Sequence, residues 1–171
     1  ACMTDRAKSR MIRANLPAYF RAARDVLRPG GLFLNHGIAT TATRQALRPS
    51  WLRFGDEGFV GRYVFPDGEL VTVEEAIAVA RRAGFELLHV QSLRPHYART
   101  LWHWVDRLAT RRDEARQLVG EKKLRTWLIY MAGSAHAFAR GWISIYQLLG
   151  IKPQPNGAAP YPLTRAHLYR D

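Results

Sequence analysis

Apolar positions in this chain recur at helical spacing in some stretches and run continuously in others, and the changes of spacing divide it into elements. From residue 17 to 27, Tyr19, Phe20, Ala23 and Leu27 share one helical face before Arg28-Pro29-Gly30-Gly31 stops the helix. Leu32-Phe33-Leu34 is a continuous apolar run too short for a helix. It predicts a strand buried on both faces that ends at Asn35-His36-Gly37. From 40 to 68 the pattern is irregular, with Pro49, Gly55, Gly58, Gly61 and Pro66 interrupting Trp51, Phe54, Phe59, Tyr63 and Phe65. Long aromatic-rich loops of this kind often cover a binding site.

Thr72 followed by Glu75 has the spacing of a capping box, and Ala76, Val79, Ala80 and Ala83 continue one helical face as far as Gly84. Residues 85 to 93 read as the next strand. Two further helical patterns follow, Leu101, Trp104, Val105 and Leu108, then Leu124, Trp127, Leu128, Met131, Ala135 and Phe138, with the charged stretch 111 to 116 separating them. Gly141 closes the second, and residues 142 to 151 predict a last strand. Pro153, Pro155, Gly157, Pro160 and Pro162 mark a tail expected to be extended and mobile.

Helix, buried strand, helix, strand, helices and a final strand make an α/β pattern with a mostly parallel sheet and flanking helices. Only about three strands can be counted, so half of a doubly wound sheet is missing. Such a sheet leaves one edge that needs a partner or a cover.

Composition adds two constraints. The 26 Lys plus Arg against 14 Asp plus Glu give a net charge of +12, which points to an anionic partner, nucleic acid or anionic lipid. The single cysteine, Cys2, excludes a disulfide framework or a cysteine-based metal site within one chain. No stretch reaches the roughly 20 apolar residues that span a bilayer, and no signal-peptide core opens the chain. The expectation is a cytoplasmic protein, peripheral at the membrane if the charge meets lipid. No helix-turn-helix, zinc or RNP pattern accompanies the charge, so nucleic acid is not expected as a partner.

The motifs themselves carry a resemblance. Arg13-Ala14-Asn15-Leu16-Pro17-Ala18-Tyr19-Phe20 and Leu27-Arg28-Pro29-Gly30-Gly31-Leu32-Phe33-Leu34 open it, in a form common to many methyltransferases. Tyr63-Val64-Phe65-Pro66-Asp67-Gly68-Glu69-Leu70 and Leu93-Arg94-Pro95-His96-Tyr97-Ala98-Arg99-Thr100-Leu101 are more distinctive. In this order they resemble the C-terminal part of the cyclopropane-fatty-acyl-phospholipid synthase and mycolic acid cyclopropane synthase family. The match covers roughly residues 13 to 152, with 1 to 12 as an atypical N-terminal segment and 153 to 171 as the Pro-rich tail.

The resemblance implies a class I, Rossmann-like methyltransferase fold and S-adenosylmethionine as cofactor. The substrate it implies is an unsaturated acyl chain, usually attached to phospholipid. In the family's chemistry the double bond attacks the sulfonium methyl, and a bound bicarbonate removes a proton from the new methyl so that the ring closes. Members that reduce or hydrate the cation leave a methyl branch or hydroxyl instead.

His36 matches a bicarbonate-binding histidine of the family, although on its own residues a loop histidine bonded to backbone is the simpler reading. Tyr97 matches a bicarbonate-contacting tyrosine, whose hydroxyl donates without being charged at neutral pH; its other role is a core aromatic at a helix start. His96 is read as structural or gating. Ser134 stands where many members carry a cysteine, a substitution that argues against covalent catalysis there; a packing role is the alternative. Tyr63 and Phe65, with Trp102, Trp104, Trp127 and Tyr130, are candidates to line an acyl channel, or are ordinary core. The arginines at 94, 99, 107, 111 and 112 suit anionic headgroups, or form a solvated basic face.

Two family features are absent. No Gly-rich loop follows a strand near the start, so no cofactor-binding residue is assigned in this chain. Ser9-Arg10-Met11-Ile12 stands where the family has Glu-His-Val-Gly, whose glutamate helps hold bicarbonate. A truncated, frameshifted or artificially joined start is therefore expected. The chain alone would be inactive, its partners being the N-terminal half or a second copy. The competing reading is a non-enzymatic basic module that binds anionic lipid surfaces or a partner protein.

Overall fold

A computed structural model describes residues 13–41, 58–66, 68–164 and 166. A 3-10 turn, Arg13–Asn15, leads into α1 (Leu16–Asp25), where Pro17 sits in the first turn and needs no intrahelical donor. Strand β1 (Leu32–Thr40) is followed among the described residues by a short helix α2 (Phe59–Tyr63) and by α3 (Val73–Arg82). Thr72 caps α3 as its spacing predicts: its hydroxyl accepts from the Glu75 amide at 3.2 Å, and the Glu75 carboxylate accepts from the Thr72 amide at 3.0 Å. Strand β2 (Glu86–Ser92), helices α4 (Arg94–Thr110), α5 (Arg112–Val119) and α6 (Glu121–Arg140), and strand β3 (Ile143–Ile151) complete the order.

The sheet order is β1-β3-β2. The mostly parallel pairing expected from sequence is replaced by two antiparallel ladders, β3 against β1 and β3 against β2. β1 and β2 do run in the same direction, but β3 lies between them. Its direction follows from the helices. α4 leaves the carboxyl end of β2 and α6 returns there, where the Arg94 guanidinium donates to the carbonyls of Phe138 at 2.8 Å and Ala139 at 3.1 Å. Gly141, in the left-handed region at φ 70°, turns the chain straight into β3, which can only run back along its neighbours.

β1 departs from its expected form in two ways. It does not end at Asn35-His36-Gly37 but continues to Thr40, because β3 pairs with it residue for residue from Leu32↔Ile151 to Thr40↔Ile143. Nor is it buried on both faces. Phe33, Asn35 and Ala39 face inward, whereas Leu32 (51% exposed), Leu34 (53%), His36 and Ile38 (38%) lie on the opposite face at period two. Only β3, the middle strand, is buried through most of its length.

Each side of the sheet carries its own core. On one side Leu16 and Phe20 of α1, Ala80 of α3 and Phe85 pack together, with Phe33 stacked on Phe85 at 5.4 Å. On the other, Leu101 of α4 and Met131, Ala135 and Phe138 of α6 meet Ile143 and Ile145 of β3.

The charged stretch 111 to 116, expected as a separator, opens α5. Its acids Asp113 and Glu114 sit in the first turn, favoured by the helix dipole, and pair with Arg116 and Arg111 at i,i+3 spacing. The tail is not extended throughout: the Gln154 amide donates to the Ala158 carbonyl and the Gly157 amide to the Gln154 carbonyl, both at 2.8 Å, closing a local turn. Trp51 and Phe54 lie outside the described residues, as do residues 1–12.

Candidate active site

The face of β1 that carries His36 lies on the side of the sheet where α4 and α6 pack against β3, and Tyr97 of α4 reaches across to His36. Tyr97 lies one turn into α4, fixed there by Pro95 near the helix start and by its amide bond to the Leu93 carbonyl at 3.0 Å. The two residues, 61 positions apart, meet: His36 Nε2 and the Tyr97 hydroxyl are 2.8 Å apart, with ring centroids at 5.6 Å. His36 belongs to the strand itself rather than to a loop beyond it. Its backbone serves the ladder and leaves the imidazole free to face α4. Tyr97 is seated from behind by Phe138 of α6, centroids 5.7 Å apart.

Phe138 leads to Ser134. Positions 130, 134 and 138 of α6 are spaced by four and fall on one face. Ser134 is buried and bonded to Tyr130, whose phenol is pushed above its ordinary value by burial, an effect that the Ser134 hydrogen bond partly offsets. Tyr130 in turn meets the edge of Phe65 at 5.7 Å and that of Trp127 at 5.5 Å. One continuous strip therefore runs from His36 through Tyr97, Phe138, Ser134 and Tyr130 to Phe65.

Tyr63 stands apart from that strip. It is 48% exposed, packs on Phe59 at 5.2 Å and carries the Arg62 guanidinium 5.5 Å over its ring. His96, beside Tyr97, points elsewhere and is exposed. Tyr130, a sequence candidate for an acyl channel, and Phe138, a residue of the same helical stripe, flank Ser134 on α6. Their spacing with Ser134 was the available signal, and it is indistinguishable in sequence from a core stripe.

Chemically, the His36–Tyr97 pair offers an imidazole nitrogen and a phenol hydroxyl at one point, and among the described residues neither touches a carboxylate. That donor set suits a small anion. The nucleoside cofactor is different. Among the described residues no glycine-rich turn leads from a strand to a helix N-terminus, since Gly30 and Gly31 precede β1 rather than follow it. These residues do not supply a nucleoside site. No three His, Cys, Asp or Glu residues among them cluster as metal ligands either.

The family model for mycolic acid cyclopropane synthetase matches residues 7–148. A probable fatty acid methyltransferase of Pseudomonas putida is 44% identical over 157 residues, which is 92% of this chain and 39% of that protein. The solved cyclopropane synthase MmaA2 of Mycobacterium tuberculosis superposes with TM-score 0.77 at 30% identity, covering 85% of this chain and 53% of the other. The mycolic acid cyclopropane synthase CmaA1, solved in complex with SAH and CTAB, gives 0.76 at 27%. The chain thus spans between about two fifths and half of these relatives. With α/β layers that superpose on the class I methyltransferase fold and a match over most of its length, the chain belongs to the mycolic acid cyclopropane synthetase family.

Proposed function

We propose that this chain is the C-terminal portion of a methyltransferase that transfers a methyl group from S-adenosylmethionine to an unsaturated acyl chain of a lipid, giving a cyclopropane or a methyl branch. The observation that carries this reading is the 2.8 Å approach of His36 Nε2 to the Tyr97 hydroxyl beside the Tyr130–Phe65 aromatic strip. The names of the relatives support it: a fatty acid methyltransferase and cyclopropane synthases.

The described residues form no nucleoside site, so the methyl donor would be held by residues outside them, and bicarbonate, when bound, would supply the base that takes the proton from the new methyl. The chain's own residues orient that anion. Tyr97 Oη donates to it without carrying charge of its own, and His36 Nε2 holds or relays a proton at the same point. Phe138 keeps the Tyr97 ring from turning away. The faces of Phe65 and Tyr130 exclude water from the acyl chain and favour positive charge developing on it. Ser134 packs and bonds to Tyr130; no base is paired with it, so it is not assigned as a nucleophile.

The test is a chimera in which this chain replaces the corresponding segment of the Pseudomonas putida relative, assayed for transfer of labelled methyl carbon from S-adenosylmethionine into unsaturated phospholipid. Activity is expected. Tyr97→Phe and His36→Ala should each lower kcat by about 100-fold or more with little change in KM, the range for a positioned proton-transfer group. Full activity in both variants would refute the assignment. A folded chimera that transfers no methyl carbon would count against the enzyme reading and in favour of a binding module.

A further inference from the structure

At the far end of the α4–α6 seam from Tyr97, a groove of about 470 Å³ opens between α4, α5 and α6. Trp104 and Leu108 of α4 and Trp127 and Met131 of α6 line it, and Leu118 of α5 forms its lip. Leu108 is eleven residues beyond Tyr97, about 16 Å along the helix axis. Met131 at the floor belongs to the buried core, but the walls and lip are open. Trp104 is 44% exposed, Trp127 39% and Leu118 77%, and α5 buries no residue.

The charge around the groove is one-sided. Of the four acids in α4, α5 and α6, Asp113, Glu114 and Glu121 are already engaged by Arg116, Arg111, and Arg112 together with Arg125. Arg107 on the rim, and Lys122 and Lys123 just beyond the α5–α6 corner, have no acidic partner among the described residues. A protruding leucine, tryptophans with one face in solvent and cations without counter-charges are together the composition of an interfacial membrane contact. A protein partner would have to supply both an apolar plug and acids at matching positions. An anionic phospholipid supplies both in one molecule.

We propose that this corner of α4, α5 and α6 is the surface by which the chain seats on an anionic phospholipid membrane. Leu118 and the Trp104–Trp127 groove take acyl tails, and Arg107, Lys122 and Lys123 meet the phosphates. The inference builds on the acyl-lipid reading above by naming where the lipid surface is met. The α4–α6 seam then points from the membrane toward the His36–Tyr97 pair.

The experiment is cosedimentation of the 171-residue chain with vesicles of phosphatidylcholine mixed with phosphatidylglycerol, against phosphatidylcholine alone. Binding is expected to the mixed vesicles, with a blue shift of tryptophan emission, and to weaken as salt rises. Leu118→Asp, at a position too exposed to disturb the fold, should weaken it about tenfold. Lys122→Glu with Lys123→Glu should weaken it about fivefold for each cation removed, and Arg81→Glu with Arg82→Glu, the same charge change on exposed α3 positions, should do much less. Equal loss from the two double reversals would mean diffuse charge without a docking face and overturn the proposal, as would undiminished binding by Leu118→Asp. Equal binding to neutral and mixed vesicles would overturn it too. The two readings fail separately: His36→Ala leaves vesicle binding intact, and a chimera that methylates lipid while ignoring Leu118→Asp sinks only the docking surface.

Discussion

Single side chains in this fold act by joining segments distant in sequence. Lys152, just after β3, donates through Nζ to the carbonyls of Arg24 at 3.0 Å and Leu27 at 2.8 Å, the former already accepting from the Leu27 amide at 3.2 Å, and so ties the end of α1 to the sheet. Lys152→Met should keep the stem's packing, remove both bonds and lower stability by about 2 kcal/mol, read from urea unfolding with unchanged m-value. Phe138 is almost fully buried and seats Tyr97, so Phe138→Ala should cost about 3 to 5 kcal/mol and, in an active chimera, lower kcat as well. Burial also raises the phenols of Tyr19 and Tyr130 above the ordinary tyrosine value. Above pH about 10 the unfolded chain loses those protons first, so it binds fewer than the folded chain and stability should fall as pH rises further. A midpoint of urea unfolding that stays constant from pH 9 to about 11 would contradict this. His36 and Tyr97 were singled out by family motifs, and the structure brings them within 2.8 Å. Lys152 was not legible, because a lysine after a strand carries no sign of the carbonyls it will reach.

At the scale of elements, the clearest sequence signals were local ones. The Thr72–Glu75 box fixes the start of α3, and Thr72→Ala should destabilise by about 1 kcal/mol, visible as a lowered Tm. α5 was hidden because its composition is that of a charged linker, and what makes it a helix is i,i+3 ion pairing with a junction to α6. That junction is Glu121, whose carboxyl is held below its ordinary value first by the Arg125 hydrogen bond, with Arg112 adding to it against partial desolvation. A depressed carboxylate contributes its stabilisation above the unfolded value and loses it as pH falls through the folded one. Amide exchange in α5 should therefore quicken as pH drops below about 4, beyond the intrinsic pH dependence of exchange, and Glu121→Gln should show the quickened exchange already at neutral pH. The length of β1 was legible only to Leu34. Asn35, His36 and Gly37 read as a strand's end by propensity, and it is pairing with β3 that overrides them.

For the molecule as a whole, the open face of β1 sets the expected behaviour. Leu32, Leu34 and Ile38 stand exposed beside an edge strand, a combination that favours association. Sedimentation velocity of the chain should show concentration-dependent self-association, and Leu32→Lys with Leu34→Lys should suppress it without lowering Tm. Unchanged association in that variant would place the contact elsewhere. Among the described residues no helix is long and apolar enough to cross a membrane. The chain by itself determined α1, α3, α4 and α6, its α/β class, its family and the two residues that meet at the candidate site, because periodicity, caps and ordered motifs are local properties of sequence, whereas α2 and α5 were not legible. Tertiary structure alone decided that β3 runs antiparallel between β1 and β2 and that β1 leaves one face open. It also decided that Phe138, Ser134 and Tyr130 line up beside the His36–Tyr97 pair, and that Trp104, Leu118 and Trp127 surround one groove. Strand order and facing depend on where α6 delivers the chain back to the sheet, a consequence of packing that no window of residues contains.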